Sequence, residues 1–171
     1  YETVLKEKFY FAKSDVIIKK KAILQLLNFI EILLDQRNTL DSNYKSQNLR
    51  FYPILLTHSS QFDTLGLNKI LNKWFLEELI GIEKKRDIKI KVFPLTIINI
   101  DSLIYFEDHF RDTVDLYTVI EEYHRFTTFE EKKKYNSEVQ LRISKEKMLI
   151  PFSTYFFNYI FIWIIWKWQH L

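Results

Sequence analysis

The stretch "TVLKEKFYF", Thr3–Phe11, sets how the rest of the chain is read. Apolar and charged residues alternate through Val4, Lys6 and Lys8 before the run turns aromatic, the pattern of a strand with one partly solvated face. With a strand in first place, the segments after it fall into alternation. Asp15 is expected to cap a helix from Val16 to Gln36. Its polar face holds Lys20, Lys21, Asn28, Glu31 and Asp35, and its apolar face Ile23, Leu26, Leu27, Ile30, Leu33 and Leu34. Gln25 falls at the edge between the two faces.

The polar run Arg37 to Asn48 reads as a surface loop. "RFYPILLTH", Arg50–His58, reads as a buried strand with Pro53 near its start or at an edge, because proline cannot donate to the ladder. Asp63 is expected to cap a helix from Thr64 to about Ile80, with Leu67, Ile70, Leu71 and Trp74 on its buried side. "IEKKRD", Ile82–Asp87, reads as an exposed turn. "IKIKVF", Ile88–Phe93, and "LTIINI", Leu95–Ile100, are separated by Pro94 and read as an extended stretch that enters the sheet by its second half. Asp101 is expected to cap the next helix. A longer helix follows over Asp115–Phe126, with Leu116, Val119, Ile120 and Tyr123 at helical spacing, and the charged run Glu130–Lys134 marks a loop or a helix start.

The predicted order is strand, helix, strand, helix, strand, helices. That is an α/β fold with a mixed or partly parallel sheet flanked by helices and a helical C-terminal part. At 171 residues the chain suits one domain with a real core. Two glycines and three prolines are too few for a turn-rich sandwich or barrel. The absence of cysteine removes disulfides and cysteine-ligated zinc, and leads to the expectation of a reducing, cytoplasmic setting. The chain opens at Tyr1 directly in a strand-like run, so it is read as a fragment lacking N-terminal elements.

Net charge is +3, unevenly spread. Residues 1–100 carry 16 Lys/Arg against 11 Asp/Glu, while residues 101–171 carry 9 against 11. A basic half can face a phosphate backbone, and a solvated lysine-rich surface accounts for it equally. Met148–Trp166 runs for nineteen residues without a charge, which reaches the length of a membrane-span candidate. Pro151, Ser153, Thr154 and Asn158 make its first half semi-polar. Core, partner interface and membrane contact therefore all stay open, with membrane contact the least favoured.

Single-residue chemistry is sparse. His58 ends a strand, where ligands often bind in α/β folds. His109 and Asp112 share a helical face and suit metal ligation by spacing, and His124 stands in "EEYHRF". Ser59 and Ser60 follow His58 without a Gly-x-Ser-x-Gly elbow, so they read as turn formers. No glycine-rich phosphate loop is present.

One constellation remains: a strand carrying Lys8, a helix carrying Gln25-Leu26-Leu27-Asn28-Phe29, then another strand. Over residues 3–57 this resembles the PD-(D/E)XK, restriction-endonuclease-like superfamily, whose RecB-type members carry Q-x-x-x-Y on that helix. The resemblance implies a nuclease-like core over residues 1–100 and a mostly helical extension over 101–171. It also implies a Mg²⁺ site of two carboxylates and one lysine for in-line hydrolysis of a phosphodiester, in a bacterial restriction or defence setting. Lys8 would be the catalytic lysine and Gln25 the motif glutamine, with Lys19, Lys20 and Lys21 placed for a nucleic-acid backbone. The pattern departs at Lys6, where the family has an acid, at Phe29, where it has tyrosine, and in the aspartate strand, which would precede Tyr1.

Two functional expectations follow. The first is a nucleic-acid-processing module, either catalytic or degenerate and binding-only. The second is a non-enzymatic module that presents its aromatic C-terminus to a protein or a membrane surface.

Overall fold

The computed structural model describes residues 2–13, 18–35, 50–112, 115–128 and 137–169. Among them the fold is mostly helical, with a small two-stranded parallel sheet flanked by helices and a separate short hairpin. The chain divides into two compact units: residues 1–55 with 71–95, and residues 56–70 with 96–171.

The first unit overturns the opening expectation. Glu2–Phe9 is a helix, α1, not a strand. Its alternating charges conceal a four-residue spacing. Leu5 and Phe9 are buried one turn apart, Val4 is exposed, and Glu2 pairs with Lys6 at 3.0 Å across the same step. The chain then makes an antiparallel hairpin of β1, Phe11–Lys13, and β2, Ile18–Lys20, with Phe11 opposite Lys20. Residues 18–20 are therefore strand where a helix was expected. Asp15, the expected cap, lies outside the described residues. The helix α2 covers only Ala22–Leu34, entered at Lys21 without a side-chain cap, and it buries Ile23, Leu27 and Ile30.

β3 covers Ile54–Thr57, just after the buried Pro53, as the proline's position required. Ahead of it Phe51 bridges Val92 in parallel: its N–H donates to the Lys91 carbonyl and its own carbonyl accepts from Phe93 N, both at 2.9 Å. Tyr52 stacks on Phe93 with ring centroids 4.3 Å apart. α3 runs Leu67–Arg86, so "IEKKRD" is the end of a helix rather than a turn. Lys84, Lys85 and Arg86 sit where the helix dipole favours cations. Asp87 then takes a left-handed φ of 51° and the Ile88 N–H reaches back to the Glu83 carbonyl at 3.2 Å, a Schellman closure. Within this unit α3 buries Leu71, Trp74, Phe75 and Leu79.

The second unit contains β4, Thr96–Asn99, whose four residues are all buried. The expected entry of "LTIINI" into a sheet is what the structure has, with β4 beside β3. Asp63 does not cap the following helix. A short 3₁₀ turn, Ser60–Phe62, comes first, and α3 begins only after Gly66, whose φ of 84° suits a residue without Cβ. The Gly66 N–H donates to the Leu149 carbonyl at 2.8 Å, and a Cβ there would stand 3.4 Å from the Leu149 side chain.

α4, Ile100–Tyr105, is capped by Asn99 rather than Asp101, since the Asn99 side chain accepts from the Asp101 N–H. α5 covers Glu107–Asp112 and α6 covers Leu116–Thr127. α6 matches the expected helix and its buried Val119, Ile120 and Tyr123, and Asp115, expected as its first residue, caps it. α7 covers Glu138–Lys147, and the expected loop over 130–134 lies outside the described residues. The uncharged C-terminal run folds as α8, Phe152–Gln169, and buries Phe152, Phe156 and Ile160 at helical spacing. Among the described residues no helix is long and apolar enough to cross a membrane. An aromatic cluster holds this core: Phe156 stacks on Phe110 at 4.8 Å and on Phe152 at 5.7 Å, and meets Phe106 edge-on at 5.1 Å.

Candidate functional site

The residues singled out in the sequence fall on the first unit, in new positions. Lys8 lies in the last turn of α1 and is exposed. Gln25 is exposed in the first half of α2, and Phe29, one turn on, is 56% exposed. Lys20 is exposed at the end of β2. Lys19 pairs with Ala12 through its backbone, and its side chain lies outside the described residues. Lys21 is half-buried, and its Nζ donates to the Glu7 carbonyl at 2.8 Å. That oxygen belongs to the Glu7–Lys8 peptide, so the hairpin brings Lys21 to the end of α1 that carries Lys8. Cations at a helix C-terminus are favoured by the exposed carbonyls there, which supplies a local reason for the arrangement.

The structure does not place Lys8 on a strand. Among the described residues no three His, Asp or Glu side chains are grouped to hold a metal ion.

Beside this cationic end lies a groove that sequence reasoning missed. It is about 310 Å³ in volume and is lined by Glu2, Lys6, Tyr10, Phe11, Lys73, Trp74 and Glu77. Tyr10 meets Phe11 and Trp74 edge-on, and Lys6 Nζ stands 5.4 Å from the Trp74 ring. The Tyr10 hydroxyl donates to Glu78. Burial, then the Glu78 carboxylate, pushes its pKa up to about 12. Lys6 with Glu2 and Lys73 with Glu77 are paired along their own helices, so the groove has an aromatic floor and a rim of balanced charge. The only sequence signals for it were i,i+4 pairs on two segments 70 residues apart, one of them read as a strand.

Net charge follows the units. The first holds 15 Lys/Arg against 10 Asp/Glu and the second 10 against 12. The uneven spread seen along the chain thus becomes a difference between two bodies, +5 and −2.

In the second unit the polar groups interlock. The Asp63 carboxylate accepts from Asn99 Nδ2 at 3.1 Å and from Ser153 Oγ at 2.7 Å, joining the ends of β4 and α8 to the segment after β3. Asn68 Nδ2 donates to the Tyr123 hydroxyl at 2.7 Å, and that hydroxyl donates to the Ile150 carbonyl at 2.9 Å. Burial pushes the Tyr123 phenol up. Thr96 Oγ1 lies 2.8 Å from His124 Nε2.

His58 is exposed, and Ser59 caps the 3₁₀ turn by accepting from the Gln61 N–H. His109 is half-buried with its ring centroid 6.2 Å from that of Phe106, and the Asp112 side chain lies outside the described residues. Among the described contacts these residues form no nucleophile–base pair.

No protein-family model matches the chain, no curated protein matches its sequence, and no solved structure matches its fold.

Proposed function

We propose that this chain is a nucleic-acid-associated module whose basic unit contacts a phosphate backbone, the binding-only form of the nuclease-like reading. The observation that carries it is the partition of charge, +5 on one unit and −2 on the other. A local excess of cations raises the concentration of a polyanion at that surface and releases its counterions on contact. The exposed Lys8 and Lys20, with Lys21 at the end of α1, supply a focus for such contacts.

The restriction-endonuclease-like core belongs to the same proposal. Its support is Gln25 and Phe29 one turn apart on α2, with β3 as the next strand. A helix at residues 2–9 takes the place of the strand on which a nuclease would present its lysine, which favours binding over cleavage.

Fluorescence anisotropy with a labelled DNA duplex across a salt series tests the reading. Binding should weaken linearly in log–log form, and Lys8→Glu with Lys20→Glu should lower the slope by about two. Binding indifferent to salt, or to both substitutions, would remove the proposal. Nicking of supercoiled DNA in Mg²⁺ that is lost in Lys8→Ala and Gln25→Ala would replace it with the catalytic form.

A further inference from the structure

α8 carries large apolar residues on both sides, with Thr154 and Asn158 also on the exposed one. Phe152, Phe156 and Ile160 face the core, and Phe161 lies on the opposite side of the helix. Phe157, Phe161 and Ile162 are 54%, 57% and 66% exposed, and on α4 Ile104 and Tyr105 are 65% and 78% exposed. Ring contacts join the two helices: Tyr105 meets Phe106 at 5.0 Å, and Phe106 meets Phe157 at 5.9 Å. Taking roughly 200 Å² for each such side chain when fully exposed, these five present on the order of 600 Å² of apolar surface. That is at the upper end of what a monomer carries as one exposed patch. It is also most of the roughly 800 Å² that each partner contributes to a stable interface.

We infer that the second unit pairs with a second copy of this chain through the face formed by Phe157, Phe161, Ile162, Ile104 and Tyr105. None of the five carries a charge, so the face can meet itself about a two-fold axis without repulsion at its centre. The nearby exposed residues Glu107, Asp108 and Arg111 carry both signs, so the rim of one copy can complement that of the other. Phe157 and Phe161 stand one turn apart and form a ridge that can interdigitate with its symmetry mate. An aromatic centre depleted of charge is the composition of homodimer interfaces. This pairing is independent of the nucleic-acid reading. If both hold, each particle carries two basic units and gains avidity on a long polyanion.

Sedimentation velocity of the full chain, over concentrations bracketing a micromolar dissociation constant, should resolve a monomer–dimer equilibrium. Phe157→Glu with Phe161→Glu should weaken the dimer by roughly a hundredfold or more, because charges are buried without partners. Tyr105→Glu, which leaves α8 untouched, should weaken it in the same direction while circular dichroism stays unchanged. Since the chain has no cysteine, Asn158→Cys, on the exposed side of α8, offers a direct readout. It should give a disulfide-linked dimer on mild oxidation, under conditions in which Val139→Cys on α7 does not. A monomer throughout the concentration range, or a dimer untouched by all three glutamates, would overturn the inference. So would equal cross-linking at 158 and 139.

Discussion

The two units fasten their elements with different chemistry. In the first, the long-range side-chain ties are largely exposed to solvent. Arg86 at the end of α3 forks onto Asp35 at 2.6 Å with Glu31 nearby at 3.5 Å, Tyr10 reaches Glu78, and Lys21 reaches the Glu7 carbonyl. In the second, the ties are partly or fully buried: Asn99 and Ser153 on Asp63, Asn68 on Tyr123, Thr96 with His124. Exposed pairs add little stability because water and salt compete for both partners. Buried hydrogen bonds are costly to break because the orphaned group cannot recover its water. The first unit therefore keeps its charge at the surface, where a polyanion can reach it. The second forms a stiff base under an apolar face.

That contrast can be broken in three graded ways. Phe156→Ala removes a fully buried ring from the centre of the aromatic cluster and should cost about 3–5 kcal/mol in urea denaturation. Amide hydrogen exchange should show the lost protection concentrated in residues 96–169; equal loss in both units would mean that they unfold as one. Tyr123→Phe removes two hydrogen bonds, one to the Ile150 carbonyl, which keeps Asn68 Nδ2 at 3.3 Å, and one from Asn68, so about 1–3 kcal/mol should be lost at any ionic strength. Arg86→Ala should cost less than about 1 kcal/mol and fade as salt is raised, because its carboxylate partners are solvated. The order of the last two decides the matter. If Arg86→Ala proved the costlier, the division into screened and buried ties would not hold.

Several elements were legible in the sequence because local signals agreed with burial. α6 is marked by apolar residues at 3.6 spacing, and the structure buries Val119, Ile120 and Tyr123 there. β4 is a short β-branched run after a proline, and it lies fully buried beside β3. α1 misled because Val4, Lys6 and Lys8 alternate as a strand would, while the residues that decide its state, Leu5 and Phe9, are only two in number. The helix at α2 started late because the hairpin takes residues 18–20, and a three-residue antiparallel pairing leaves little periodic trace. The aromatic groove and the Asp63 knot were invisible for a different reason. Their ties join residues 36 to 90 positions apart, and no local pattern couples them.

By itself the sequence determined composition, the uneven charge and the places where helices and strands are locally favoured, because these depend on neighbours along the chain. Only the tertiary structure decided what each favoured segment became and what it touches. The nineteen uncharged residues after Lys147 show the division. Their hydrophobicity was plain in the sequence, and core, interface and membrane all stayed open, with membrane the least favoured. Helical packing turned Phe152, Phe156 and Ile160 inward and left Phe157, Phe161 and Ile162 on the surface. Burial depends on what lies across from a residue in space, and sequence order does not record that.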